Sequence, residues 1–301
     1  MLLKELIKNK IMDILEIKDL DELSEIIKND IDFHCETIYD DGHRKHLGAS
    51  IIGHDCKRYL WYVFRWCYKP KHDGRQQRLF NRGHREEERF TEWLRGIGFT
   101  VWDIDESNGK QFRISDCCGH FGGSLDGAAR FPQHYKIETP VLLEYKTNGA
   151  GKDGKGKAFQ KLQEKGLESE KYQHFAQASC YGYKMNLAYV LYLNINKNDD
   201  TIHAEIAKLD MRLGQQMIQK AEMVITSPVA PNRLSNNPNH YKCKMCDMKP
   251  ICHEHQPIEK NCRSCSKSVP IENAEWGCSL YQMPIPEDFI IKACELYEPI
   301  I

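Results

Sequence analysis

Residues 139–147 read Thr-Pro-Val-Leu-Leu-Glu-Tyr-Lys-Thr. Three consecutive aliphatic residues, bounded by turn-forming residues, fit a strand buried on both faces. Side chains alternate along a strand, so Glu144 and Lys146 project from one face and Tyr145 from the other. An ionisable pair directly after a buried apolar run is unusual unless the site uses it. Upstream, His-Phe-Gly-Gly-Ser-Leu-Asp-Gly (residues 120–127) places Asp126 at the end of a second strand-like run. The ordinary alternative is that Asp126 closes a turn and that Glu144 and Lys146 form a surface pair.

Working outward, the segments 100–104, 110–115, 120–131, 139–147, 187–196 and 201–210 are short and rich in β-branched or aromatic residues. Between and around them, 50–66, 78–98, 171–186 and 211–226 carry helical spacing. Such an alternation predicts a mixed α/β fold around a central sheet flanked by helices. Residues 1–30 read as two short amphipathic helices, 31–49 as a loop, and the Gly- and Lys-rich start of 148–170 as a mobile loop. The expected organisation is a helical arm (1–48), an α/β core (49–240) and a cysteine-rich metal-binding module (241–301). That module has little periodicity, and its order is expected to come from metal rather than from a core.

The chain has 301 residues, 41% of them hydrophobic and 28% charged, which is enough to bury a core. No apolar run is long enough to span a membrane. The charged N-terminus does not read as a secretion signal, so a cytoplasmic location is expected. Net charge is −1, which gives no global argument for nucleic acid. Residues 65–95, however, hold nine Arg or Lys against five acids. That excess could follow a phosphate backbone, although a solvated helix face explains it as well. Trp61 and Phe80 could stack on bases, but core packing is the more ordinary role.

Asp126 and Glu144 suit a hard divalent cation such as Mg²⁺ or Mn²⁺, which takes oxygen ligands. The Tyr145 carbonyl is a further candidate ligand. Lys146 can orient or help deprotonate a water beside such an ion. This is the equipment of phosphodiester hydrolysis, where metal activates water and offsets charge on the phosphorane.

Asp126 with Glu144-x-Lys146 resembles the PD-(D/E)xK nuclease core. Gly83-His84 upstream and Gln177-x-x-x-Tyr181 downstream resemble its RecB-like branch. Leu125 stands where the family nominally has proline. The resemblance implies that His84 is a metal ligand and that Gln177 and Tyr181, four apart on one helix face, position the lysine and the DNA strand. It also implies DNA as partner, single-stranded or at duplex ends, and a deoxyribonuclease, more an exonuclease than an endonuclease, in recombination, repair or phage DNA processing. A recombination partner protein or a homo-oligomer would fit that setting. A nucleic-acid-binding adaptor on the same fold, without turnover, is the other class to weigh.

Thirteen cysteines without an export signal favour metal over disulfides. Cys56 together with Cys243-x2-Cys246-x5-Cys252 resembles the iron–sulfur RecB-like nucleases, including CRISPR-associated exonucleases. The resemblance implies that these four thiolates hold a 4Fe–4S cluster. Local spacing alone favours a zinc ribbon from Cys243, Cys246, Cys262 and Cys265, but that leaves Cys56, Cys252 and Cys278 unused. A second partition gives a zinc site of Cys262, Cys265, Cys278 and one histidine, His253 or His255. Cys35, Cys67, Cys117, Cys118, Cys180 and Cys294 read as small core residues or spares. His43, His46, His120 and His174 read as structural. The tail 261–278 resembles extensions of phage-encoded nucleases of this class.

Overall fold

A computed structural model describes residues 20–149 and 157–301. The readings for residues 1–19, and for 150–156 of the lysine-rich stretch, lie outside the described residues. The elements, in chain order, are α1 (Leu20–Ile38), β1 (Leu47–Gly48), α2 (Lys57–Phe64), α3 (Gly74–Gly96), β2 (Thr100–Trp102), β3 (Arg113–Asp116), β4 (Phe121–Ser124), β5 (Gly127–Arg130) and β6 (Val141–Asn148). They continue with α4 (Lys157–Glu170), α5 (Tyr172–Met185), β7 (Tyr189–Asn196), β8 (Ile202–Lys208), α6 (Met211–Ile225), α7 (Tyr241–Lys244), α8 (Lys249–His253), β9 (Ser268–Pro270), β10 (Trp276–Cys278), β11 (Met283–Pro284) and α9 (Glu287–Ile290).

Val141-Leu142-Leu143 does form a buried strand, the middle strand of a mixed five-stranded sheet ordered β2-β5-β6-β7-β8. β5 and β6 pair antiparallel, β6 and β7 parallel, and β7 and β8 antiparallel. The strand pattern divides the interior. Leu142 joins a core with Leu60, Trp61, Phe64, Phe175 and Tyr181. Val141, Leu143 and Tyr145 join a second core with Phe90, Leu94 and Leu193. Each such fully buried side chain stabilises by roughly 1.5–3 kcal/mol, so β6 is held from both faces. The helix flanking the second core is α3, whose Phe90 and Leu94 stand one turn apart on one face. The small sheet β1-β4-β3 holds the glycine-rich strand Phe121–Ser124.

Three expectations are corrected. The helix expected from residue 50 begins at Lys57, after a single 3₁₀ turn at Ala49–Ile51. Cys56 is extended (φ −88°, ψ 107°) and its N–H donates to His54 Nδ1 at 3.1 Å, which breaks helical continuity before the aromatic run starts. The loop expected over 31–49 is instead largely helix, since α1 runs to Ile38. Ile27, Ile31 and Cys35 repeat every four residues across the supposed boundary. The cysteine-rich tail is not coreless: Met248, Ile251, Trp276 and Ile290 are buried in the same core as Leu142.

The described residues fall into two units. One comprises 20–41 with 71–82, where Arg78 pairs with Asp32 and the Gly74 N–H donates to Glu36 at 2.9 Å. The other comprises 42–70 with 83–301 and contains the sheet and the cysteine-rich tail. No helix among the described residues is long and apolar enough to cross a membrane.

Candidate active site

Strand register sets the site. Gly127 pairs with Leu143 across β5 and β6, so Asp126, one residue earlier, comes level with Glu144. The Tyr145 N–H donates to Asp126 Oδ2 at 2.6 Å and holds the carboxylate against β6. Gly127 permits this approach: its φ is +151°, and a Cβ there would lie 2.8 Å from the Trp102 carbonyl oxygen. Lys146 lies on the same face as Glu144 and forms an ion pair with it. Its Nζ also donates to the Tyr145 carbonyl at 3.0 Å, so that carbonyl, expected as a metal ligand, already has a cationic partner.

Glu144 is fully buried. The lysine sits beside its Oε1 but off the hydrogen-bonding direction, and neither carboxylate oxygen accepts a hydrogen bond. Burial pushes the Glu144 carboxyl up to about 7, against the pull of Lys146, and Asp126 adds to the rise. Asp126 is raised by desolvation as well, opposed by Lys146, the Tyr145 N–H and His84. Burial alone would lower the Lys146 pKa, but Glu144 and Asp126 more than offset it and raise it above the ordinary lysine value. The lysine is therefore a fixed cation at neutral pH.

His84 stands on the exposed side of α3, near enough to favour the charged form of Asp126. Gln177 and Tyr181 lie buried on α5, and Gln177 Nε2 donates to the Tyr181 hydroxyl at 3.2 Å. Gln177 Oε1 has no partner. Tyr181 interacts electrostatically with Glu144, Asp126 and Lys146, which places the α5 pair beside the strand cluster. All six residues expected to form the site belong to the unit that contains the sheet.

Sequence reasoning missed four neighbours. Glu87 follows His84 by one helical turn, and burial pushes its carboxyl up to about 7, with the nearby Asp126 adding to the rise. Its i+3 spacing from His84 was the available signal, obscured by a run of three glutamates. The other three form a chain behind β6. Asn194 Nδ2 donates to the Tyr192 hydroxyl at 2.9 Å, which in turn lies 2.9 Å from His174 Nδ1. Burial, with Lys146 adding, pushes His174 down to about 3, so its neutral ring can accept at Nδ1. Tyr192 and Asn194 pair in register with Glu144 and Lys146. No local sequence signal marks that chain.

The basic stretch is largely committed elsewhere. Arg65 is buried, Arg89 pairs with Glu86, and Arg95 pairs with Asp103. Trp61 is a core residue whose Nε1 donates to the Ser227 carbonyl, so it cannot stack on a base. Phe80 is half-exposed and meets the His72 ring edge-on.

Cys56, Cys243, Cys246 and Cys252 line one cavity, together with Arg58, Tyr59 and Tyr62. Burial pushes the Cys246 thiol up to about 11, and the neighbouring Cys56 and Cys252 contribute to the rise. His253, expected with the later cysteines, lines this first cavity instead. Cys262, Cys265 and Cys278 line a different one. Among the described residues no three His, Cys, Asp or Glu side chains stand ready as a metal-holding set.

Fold and site together define a mixed α/β chain whose middle strand carries a buried carboxylate–lysine cluster. No protein-family model matches it, and no curated protein does. Among solved structures it is similar to SSO0001, at 16% identity and a TM-score of 0.37 over 84% of this chain and 96% of that one. It is also similar to the alkaline exonuclease LHK-Exo of Laribacter hongkongensis, at 14% identity and a TM-score of 0.36 over 62% of this chain and 89% of that one. LHK-Exo in complex with dAMP aligns at 12% identity and a TM-score of 0.39, over 60% of this chain and 86% of that one. Likenesses of this size leave function to be argued from the site itself.

Proposed function

We propose that this chain is a Mg²⁺- or Mn²⁺-dependent deoxyribonuclease, acting as an exonuclease in recombination, repair or phage DNA processing. The observation that carries the reading is Glu144, a fully buried carboxylate with no hydrogen bond to either oxygen, set level with Asp126 and beside Lys146. A buried carboxylate with unfilled acceptor positions costs free energy even beside a lysine, and a divalent cation is a partner such oxygens fit. Asp126, Glu144 and His84 would hold it. When bound, the cation supplies an activated water and positive charge for the phosphorane.

The protein's own groups then have distinct roles. Lys146, paired with Glu144 and donating to the Tyr145 carbonyl, orients the water and offsets charge. Glu87, brought up to about 7, is suited to accept a proton near neutral pH. Gln177 and Tyr181 hold the α5 side of the site. Cys56, Cys243, Cys246 and Cys252 are the ligand set of a 4Fe–4S cluster, a reading supported by their sharing one cavity at the start of α2.

Cleavage of a fluorogenic DNA with Mn²⁺ tests the first part. Asp126→Ala, shown to be folded by its thermal melt, is expected to lose at least about 100-fold in rate, as a metal site loses when its support is removed. Equal rates for wild type and variant would overturn the nuclease reading. Anaerobically purified protein is expected to be brown, and Cys56→Ser colourless.

A further inference from the structure

Four cysteines far apart in the chain converge at a second cavity. Cys262 and Cys265 flank a tight turn in which the Cys265 N–H donates to the Cys262 carbonyl at 3.1 Å. Cys278 ends β10, where it pairs in register with Ser268 of β9. Cys294 follows α9, next to Ala293, which takes a left-handed φ of 55°. All four line one solvent-open cavity. The Cys262 thiol donates to the Phe289 carbonyl at 3.6 Å, and Cys265, Cys278 and Cys294 stand near enough to act on its charge. Cys294 carries no spacing motif of its own.

Two buried cations lie near this turn, although neither lines the cavity. Arg65 and Arg263, the latter between Cys262 and Cys265, are 2% and 1% exposed. Neither guanidinium pairs with a carboxylate among the described residues. Arg263 donates to the Lys45 carbonyl at 2.9 Å and to the Phe64 carbonyl. Arg65 donates to the Ser268 carbonyl at 2.9 Å. Both lie over the Trp276 ring, and the Nε of each has no partner. Two buried cations without a counter-charge are costly.

We propose that Cys262, Cys265, Cys278 and Cys294 hold one zinc ion, and that Cys294 rather than a histidine completes the set. Zinc accepts four thiolates in a closed tetrahedral site, and a C-x2-C turn commonly supplies two of them. The thiols are not yet at ligand spacing. Closing the set requires the four thiols, which line one cavity, to draw together around the ion. The ion would then tie together β10, the Cys262 turn and the segment after α9, none of which is long enough to be stable alone.

The test is zinc content per chain of the full-length protein purified with zinc, by elemental analysis. Cys294→Ser is expected to carry one zinc fewer than wild type, while His253→Ala and Asp126→Ala carry the same as wild type. Retention of wild-type zinc by Cys294→Ser overturns the proposal, as does loss of this zinc in His253→Ala or a wild-type protein without zinc. Should Cys294→Ser not fold, Cys294→His loaded with Co²⁺ gives the answer by absorption. Weaker thiolate charge transfer than wild type supports the assignment, and an unchanged spectrum overturns it. Zinc retained in a cleavage-dead Asp126→Ala separates this proposal from the nuclease reading.

Discussion

Glu144 and Glu87 stand out at the residue scale because both are acids held where their charge is disfavoured. Their folded pKa values lie near 7, above the ordinary 4.5. A group whose pKa is raised on folding contributes stability that is full below its unfolded value and lost as pH rises through its folded value. The metal-free chain therefore loses this contribution between about pH 4.5 and pH 7. A divalent cation binds only the ionised form and reverses the loss. The thermal shift produced by Mn²⁺ should be small at about pH 5 and grow to a plateau above about pH 7. Melting curves at fixed Mn²⁺ across that range decide the point. An equal shift at both ends would mean that Glu144 is not a ligand.

At the element scale, the glycine-rich strand β4 and the helix α5 are matched to each other. A Cβ at position 123 would collide with the Tyr181 hydroxyl, so glycine is what lets β4 lie against α5. Gly123→Ala is expected to cost about 1–3 kcal/mol, the usual penalty for overpacking, and to displace Tyr181 from Gln177. Removing the hydroxyl makes room, so Tyr181→Phe in the Gly123→Ala background should recover part of the stability. Urea melts of the single and double variants measure this. Additive losses would show that the clash is not the cause.

For the whole molecule, the cysteine-rich tail and the sheet share one core, and Trp276 is the joint. Its ring packs 5.1 Å from Phe64 and 5.7 Å from His120, and both buried arginines lie over it. Trp276→Ala should cost about 3–5 kcal/mol, as large aromatic deletions in cores do. The denaturant midpoint should fall while unfolding remains a single transition. A tail that melts separately, ahead of the sheet, would show that the two do not fold as one.

The legible part of this protein is what neighbours in sequence decide. Strand alternation put Glu144 and Lys146 on one face, and helical spacing put Gln177 beside Tyr181, because both periods are local properties of the backbone. The buried run Val141-Leu142-Leu143 announced the middle strand for the same reason. Spacing failed where distance along the chain is no guide to distance in space. Glu87 was hidden in an acidic run until α3 brought it to Asp126. The His174–Tyr192–Asn194 chain exists only because β7 lies parallel to β6. Arg65 looked like part of a phosphate-binding stripe and is buried against Trp276. His253 and Cys294 exchanged expected positions for the same reason: which thiols share a cavity depends on how β9, β10 and the final turns fold back on the core. Local pattern thus set the middle strand and the face that carries Glu144 and Lys146, and only long-range packing decided which distant charges and thiols meet there.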